Sequence, residues 1–132
     1  SHMKERFKSL SNEHLDDITI DVKGGRKIHM RGAGKIGWAS FHELCEQALG
    51  APDYIELTHI FDILFLEAVP VMSPEMRNEA KRFVKLIDVL YDNGTKLVIN
   101  AEAEPKELYV AGTGKQEFKR TASRLTEMRS WD

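Results

Sequence analysis

The chain has a single cysteine, Cys45, among its 132 residues. One thiol excludes an internal disulfide and any Cys-x-x-Cys metal site. With no base predictable beside it, Cys45 reads as a small buried hydrophobe rather than a nucleophile, and a reducing compartment is its natural setting. Charge of one sign is missing too. The 19 Lys and Arg are set against 21 Asp and Glu, a net charge of −2, so no global field draws the chain to nucleic acid or to an anionic membrane. Long hydrophobic runs are absent. The most apolar stretch, Ile60 to Met72, is interrupted by Asp62, Glu67 and Pro70, whereas a bilayer span takes ~20 apolar residues. No internal repeat, low-complexity segment or secretory signal is read.

Motifs that would carry chemistry are incomplete or lacking. Gly32-Ala33-Gly34-Lys35-Ile36 imitates a phosphate-binding loop, which requires G-x-x-x-x-G-K-[ST] between a strand and a helix. The first glycine position holds His29, and Ile36 after the lysine offers no hydroxyl to Mg²⁺. Beyond His2, the histidines His14, His29, His42 and His59 have no H-E-x-x-H spacing, so the sequence predicts no metal site. Catalytic residues are likewise predicted to be none.

What is present describes one soluble α/β domain. Ser1-His2-Met3 reads as an expression-tag scar, leaving residues 4–132 as a single domain, within the usual size of one. Ile18–Val22 and Lys27–Arg31 alternate apolar and polar residues about a Gly24-Gly25 turn and predict a β-hairpin. Gly32 to Gly37 reads as a second turn and Trp38–Phe41 as a third strand, an antiparallel meander. A short helix follows over His42–Ala48, then one from Tyr54 to about Phe61 with Asp53 as N-cap. Ile63–Leu66 is a continuous apolar run, the mark of a strand buried on both faces. Ser73-Pro74 opens the longest helix, whose apolar stripe is Ala80, Phe83, Val84, Ile87, Leu90 and Tyr91. Lys96–Ile99 is a second apolar strand, so strand, helix and strand form a βαβ unit with parallel strands. Pro105–Tyr109 reads as a short helix, and a last helix runs from Gln116 or Phe118 to about Arg129.

Two strand ends have functional outlines. Leu64-Phe65-Leu66-Glu67 resembles a Walker B strand, but Ala68 stands at its second acidic position. Lys96–Asn100 has the outline of a sensor strand. Without a phosphate loop both read as sheet core. Cations cluster more densely: Arg77, Lys81, Arg82 and Lys85 on the long helix, and Lys119, Arg120, Arg124 and Arg129 on the last. Guanidinium groups suit phosphate or interface carboxylates. The plainer reading pairs them with Glu79, Asp88 or Glu127 on solvated helix faces.

Ordered blocks then make the chain recognisable. They are Phe41-His42-Glu43-Leu44-Cys45, Asp53-Tyr54, Val69-Pro70-Val71-Met72, and Arg77 to Phe83 with Leu86-Ile87-Asp88 and Leu90-Tyr91. Lys96–Ile99, Ala101-Glu102, Glu107-Leu108-Tyr109, and Phe118 to Leu125 with Glu127-Met128 and Ser130 complete the set. Across residues 41–130 the chain resembles the C-terminal region of the ZapE-type cell-division ATPases, whose mitochondrial relatives are the AFG-one-like ATPases. The resemblance implies an AAA-like P-loop NTPase whose Walker motifs lie N-terminal to this segment, so that the chain is a C-terminal fragment without turnover alone. Ala68 stands where relatives often carry an acid, and Arg129 where they usually carry Gln. The parent would use ATP and Mg and act in cell division or protein quality control, in the bacterial cytoplasm or, for a eukaryotic relative, in mitochondria. Implied partners are the missing N-terminal nucleotide-binding domain, neighbouring subunits or a cell-division protein, with no nucleic acid and no membrane span. On this resemblance Arg82, Arg120 and Arg124 are the candidates for a basic surface facing nucleotide or a subunit interface. A stand-alone binding module acting through the hairpin and the Gly32–Gly37 turn is the alternative.

Overall fold

The computed structural model describes residues 15–109, 111–112 and 114–129, with the side chains of Lys23 and Arg129 also outside the description. Ser1–Met3, read from the sequence as a tag scar, and His14 and Ser130 lie outside the described residues. Five strands form one sheet in the order of the sequence: β1 Asp16–Asp21, β2 Lys27–Ala33, β3 Ile36–Ser40, β4 Ile63–Val69 and β5 Lys96–Ala101. β1, β2 and β3 are antiparallel neighbours, whereas β3, β4 and β5 are parallel. The helices are α1 Phe41–Cys45, α2 Ala51–Ile60, α3 Arg77–Asp92 and α4 Lys115–Arg129.

The α/β class and the hairpin follow the sequence patterns, and there are two consecutive βαβ units rather than one. The third strand closes the meander and also opens the parallel half, because Trp38 pairs with Phe65 of β4. Parallel neighbours need a crossover, which α1 and α2 supply between β3 and β4, as α3 does between β4 and β5. Crossovers share one hand, and strand order advances in one direction, so both fall on the same face. That face holds the main core, where Ile28, Met30, Leu64, Leu66 and Leu97 meet Phe83, Leu86, Ile87 and Leu90 of α3. The alternate strand residues point the other way. There Ala33, Ile36, Trp38 and Phe65 form a second cluster, with the Trp38 and Phe65 rings stacked at 5.1 Å.

Several element boundaries differ from the sequence pattern. Phe41 begins α1 instead of ending a strand. Ser40 caps it, accepting from the Glu43 N–H at 3.1 Å while the Glu43 carboxylate accepts from the Ser40 N–H at 2.9 Å, the reciprocal pair of an S-x-x-E sequence. Asp53 is not an N-cap. α2 starts three residues earlier, after Gly50, and Asp53 turns back to accept from the Gly50 N–H at 2.8 Å. Ser73 makes no capping hydrogen bond; Pro74–Met76 is a 3₁₀ turn, and α3 begins at Arg77. Pro105–Glu107 is also a 3₁₀ turn. The Gly32–Gly37 turn shrinks to Gly34-Lys35, with φ 57° at Gly34. Gly32 and Gly37 are strand residues paired with each other. A Cβ on Gly37 would stand 2.9 Å from the Phe61 ring, and one on Gly32 3.4 Å from it. The paired glycines therefore form the slot in which Phe61 packs.

Aromatic rings join the helical layer. Phe83 of α3 packs against Phe41 at 6.2 Å and Phe118 of α4 at 5.8 Å, and Phe118 meets Tyr109 at 5.6 Å. Each such pair contributes about 0.5–1.5 kcal/mol beyond its buried area. This packing holds α4 against α3 and positions the arginines of both.

Candidate functional site

α3 and α4 lie side by side, and their facing charges converge on Asp88. Arg120 and Arg124 stand one helical turn apart on α4 and so share a face. Arg124 Nη1 donates to Asp88 Oδ1, and Arg120 Nη2 stands 3.9 Å from Asp88 Oδ2. The Arg124 guanidinium also sits 4.7 Å above the centre of the Tyr91 ring, a cation–π contact. Tyr91 in turn donates its hydroxyl to Glu127 Oε2 at 2.8 Å. That hydrogen bond to a carboxylate, with a little desolvation, raises the Tyr91 phenol above its ordinary range. Arg124 is thus held from two sides and is 25% exposed, while Arg120 is 59% exposed and, among the described residues, has only a long ion pair. Two guanidinium groups converge on the Asp88 carboxylate, with a second carboxylate, Glu127, joined to Arg124 through Tyr91.

Arg82 does not join them. It lies on another side of α3, where its Nη1 donates to the carbonyl oxygen of Cys45 at 3.2 Å. A cation there satisfies the end of α1 and opposes the negative end of its dipole. Burial pushes the Cys45 thiol well above the usual range, partly offset by Arg82, as befits an inert side chain in the core.

The carboxyl ends of the parallel strands hold a different cluster. Glu67 Oε1 accepts from Arg31 Nη2 at 3.0 Å, and the same nitrogen lies 3.6 Å from Glu43 Oε1. The next residue, Ala68, has φ 60° at a break in the β4–β5 register. Asn100, the polar end of the sensor-like outline, is exposed on β5. Sequence reasoning missed the Arg31 pairing; its signal was only the alternation that puts Arg31 on the Trp38 face.

The residues present do not fit a magnesium–triphosphate cradle. Gly34-Lys35 is the tip of a hairpin leading into a strand, and the Lys35 carbonyl oxygen accepts from the Asp62 and Ile63 N–H groups at 2.8 and 3.3 Å. No helix N-terminus follows it, and Glu67 is engaged by Arg31. Among the described residues no three His, Cys, Asp or Glu side chains converge as metal ligands. The histidines have local partners: His29 lies 3.3 Å from Thr19 Oγ1, His42 2.8 Å from Glu46 and His59 3.9 Å from Glu56. Among the described residues no helix is long and apolar enough to cross a membrane.

Comparison with known proteins places this geometry among relatives. A family model described as AFG1-like ATPase matches residues 1–132. The cell division protein ZapE of Escherichia coli (strain K12) is 44% identical over 129 residues, covering 88% of this chain and 34% of that protein. Lactation elevated protein 1 homolog B of Danio rerio is 37% identical over 117 residues, covering 86% of this chain and 23% of that protein. An uncharacterized protein of Schizosaccharomyces pombe is 30% identical over 96 residues, 73% of this chain and 21% of that protein. The chain thus spans between about a fifth and about a third of the length of these relatives. No solved structure matches it.

Proposed function

The chain belongs to the AFG1-like ATPase family, and from that premise we propose that it is the C-terminal accessory and interaction domain of a ZapE-type ATPase. The parent binds and hydrolyses Mg-ATP with segments outside this chain, in cell division or protein quality control. It works in the bacterial cytoplasm, or in mitochondria for a eukaryotic relative. Here the domain turns arginine toward the nucleotide-binding domain or a neighbouring subunit.

The observation that carries this reading is the unequal holding of the two arginines on α4. Arg124 is locked between Asp88 and Tyr91, whereas Arg120 is more than half exposed beside it. Arg124 and Asp88 set the position of Arg120, and Arg120 offers its fork outward. A planar guanidinium suits a phosphate or a carboxylate brought by another body, and an arginine supplied in this way can speed phosphoryl transfer by three or more orders of magnitude. Arg82, spent on the end of α1, acts by keeping α1 against α3.

The test is made in the complete ATPase. Arg120→Gln is expected to lower ATP turnover at least about 100-fold with little change in thermal stability. Arg124→Gln is expected to lower both, because it releases Asp88 and Tyr91 together. Unchanged turnover and unchanged assembly with Arg120→Gln would refute the reading. The alternative module acting through the Gly32–Gly37 turn has less support, since Gly32, Ala33, Ile36 and Gly37 are buried and only Gly34 and Lys35 are exposed.

A further inference from the structure

α3 carries a second set of cations, apart from the pairing at Asp88. Arg77, Lys81 and Lys85 recur every fourth residue, so they form one ridge along the helix. All three are exposed. Among the described residues no carboxylate lies within ion-pair distance of any of them; Asp88 and Asp53 pair instead with Arg124 and Arg26. Unpaired cations in a chain of net charge −2 mark a local field that the whole-chain balance conceals.

Clefts open on both flanks of the ridge. One, of about 340 Å³ between α3 and the start of α4, is walled by Val84, Tyr109 and Phe118. The other, of about 280 Å³ between α3 and the start of α2, is lined by Leu49, Ala51 and Tyr54 together with the polar Asn78 and Arg82. Lys81 borders both, and Glu117, in the first, is the single carboxylate lining either among the described residues. A segment crossing α3 therefore meets a polar-rimmed cleft with apolar side chains at its floor, a row of cations and a second such cleft, over the ~10 Å width of a helix.

We propose that this face of α3 docks a peptide segment of a partner protein with an acidic centre and apolar flanks. Its carboxylates sit on the Arg77–Lys81–Lys85 ridge, and its apolar side chains enter the two clefts. A phosphate backbone would use the cations and leave the apolar walls empty, which is why peptide is favoured over nucleic acid. The proposal goes beyond the ATPase reading, and it can fail separately, because the ridge excludes Arg120 and Arg124 and the substitutions that test it leave Arg82, at the edge of the second cleft, in place.

The experiment is fluorescence anisotropy on the 132-residue chain with a labelled peptide built on a Leu-Glu-Glu-Glu-Leu centre. Companion probes replace its Glu with Gln or its Leu with Ser, and a single-stranded oligothymidine is the phosphate arm. The expected result is salt-sensitive binding of the acidic peptide, weakened at least tenfold by Arg77→Glu, Lys81→Glu and Lys85→Glu together. Each companion peptide should bind several-fold more weakly. Should the triple reversal unfold the chain, the Gln versions of the same three substitutions replace it, read against the unchanged thermal midpoint. No binding to the native chain, equal binding by the variant or by the Gln peptide, or tighter ridge-dependent binding of the oligothymidine would each overturn the proposal.

Discussion

Arg26 Nη2 stands 2.8 Å from Oδ1 of Asp53, a carboxylate only 1% exposed. The turn of the β1–β2 hairpin is thereby tied to the first turn of α2, across 27 positions of sequence. The second oxygen of Asp53 accepts from the Gly50 N–H, so this buried charge is satisfied from the hairpin and the helix together. Removing one member of a buried pair leaves the other uncompensated. Arg26→Met is expected to destabilise the chain by about 2 kcal/mol, since Arg26 is itself partly in water and the Gly50 bond remains. Urea denaturation checks this, and in a double-mutant cycle Asp53→Asn should recover part of the loss. A change under about 0.5 kcal/mol, the range of ordinary surface substitutions, would mean the pair contributes nothing.

Ala68 has φ 60° at the end of β4, a left-handed conformation that strains any residue with a Cβ. That strain is about 1–2 kcal/mol, partly offset in a glycine variant by the greater freedom of its unfolded chain. Ala68→Gly is therefore expected to raise stability by about 0.5–1 kcal/mol, and Ala68→Val to lower it. The order of urea midpoints, Gly above Ala above Val, is the measurement; any other order contradicts the strained turn.

The slot for Phe61 predicts a different response at a second small residue. Gly37→Ala puts a methyl 2.9 Å from the Phe61 ring and as close to the Met30 methyl, an overpacking that costs about 1–3 kcal/mol. Phe61→Leu in the same chain should recover part of the loss, because a smaller side chain vacates the slot. Thermal melts of the single and double variants decide, and simple additivity of the two losses would refute the slot.

Alkali should destabilise the fold through Cys45 and Tyr54. Burial raises both groups above their ordinary values of 9.0 and 10.0. With folded values above unfolded ones, their contribution is complete below about pH 9 and is lost as pH rises, because only the unfolded chain ionises. The slope approaches 1.36 kcal/mol per pH unit for each group once its ordinary value is passed. Urea stability measured from pH 7.5 to 10.5 should fall, and Cys45→Ala should remove the part that sets in near pH 9. An identical pH dependence in wild type and Cys45→Ala would exclude the thiol as its source.

Local pattern decided much of this chain. The alternation over Ile18–Arg31, the apolar run Ile63–Leu66 and the spacing of Ala80, Phe83, Ile87 and Leu90 specify strand or helix from neighbours a few residues away, and the family blocks share that local character. The capping box at Ser40 and Glu43 was equally legible, as an S-x-x-E signal, though a strand reading through Phe41 overrode it. Asp88 stood among the acids able to pair with the arginines, but nothing local chose it over Glu79 or Glu127. Only the folded chain decided that β3 faces β4 in parallel, that Arg124 takes Asp88 while Arg82 takes the end of α1, and that Arg77, Lys81 and Lys85 have no ion-pair partner among the described residues. Those outcomes join residues tens of positions apart. They depend on which faces pack once the crossovers are set, and side-chain periodicity, which repeats within a turn or a pleat, carries no record of that choice.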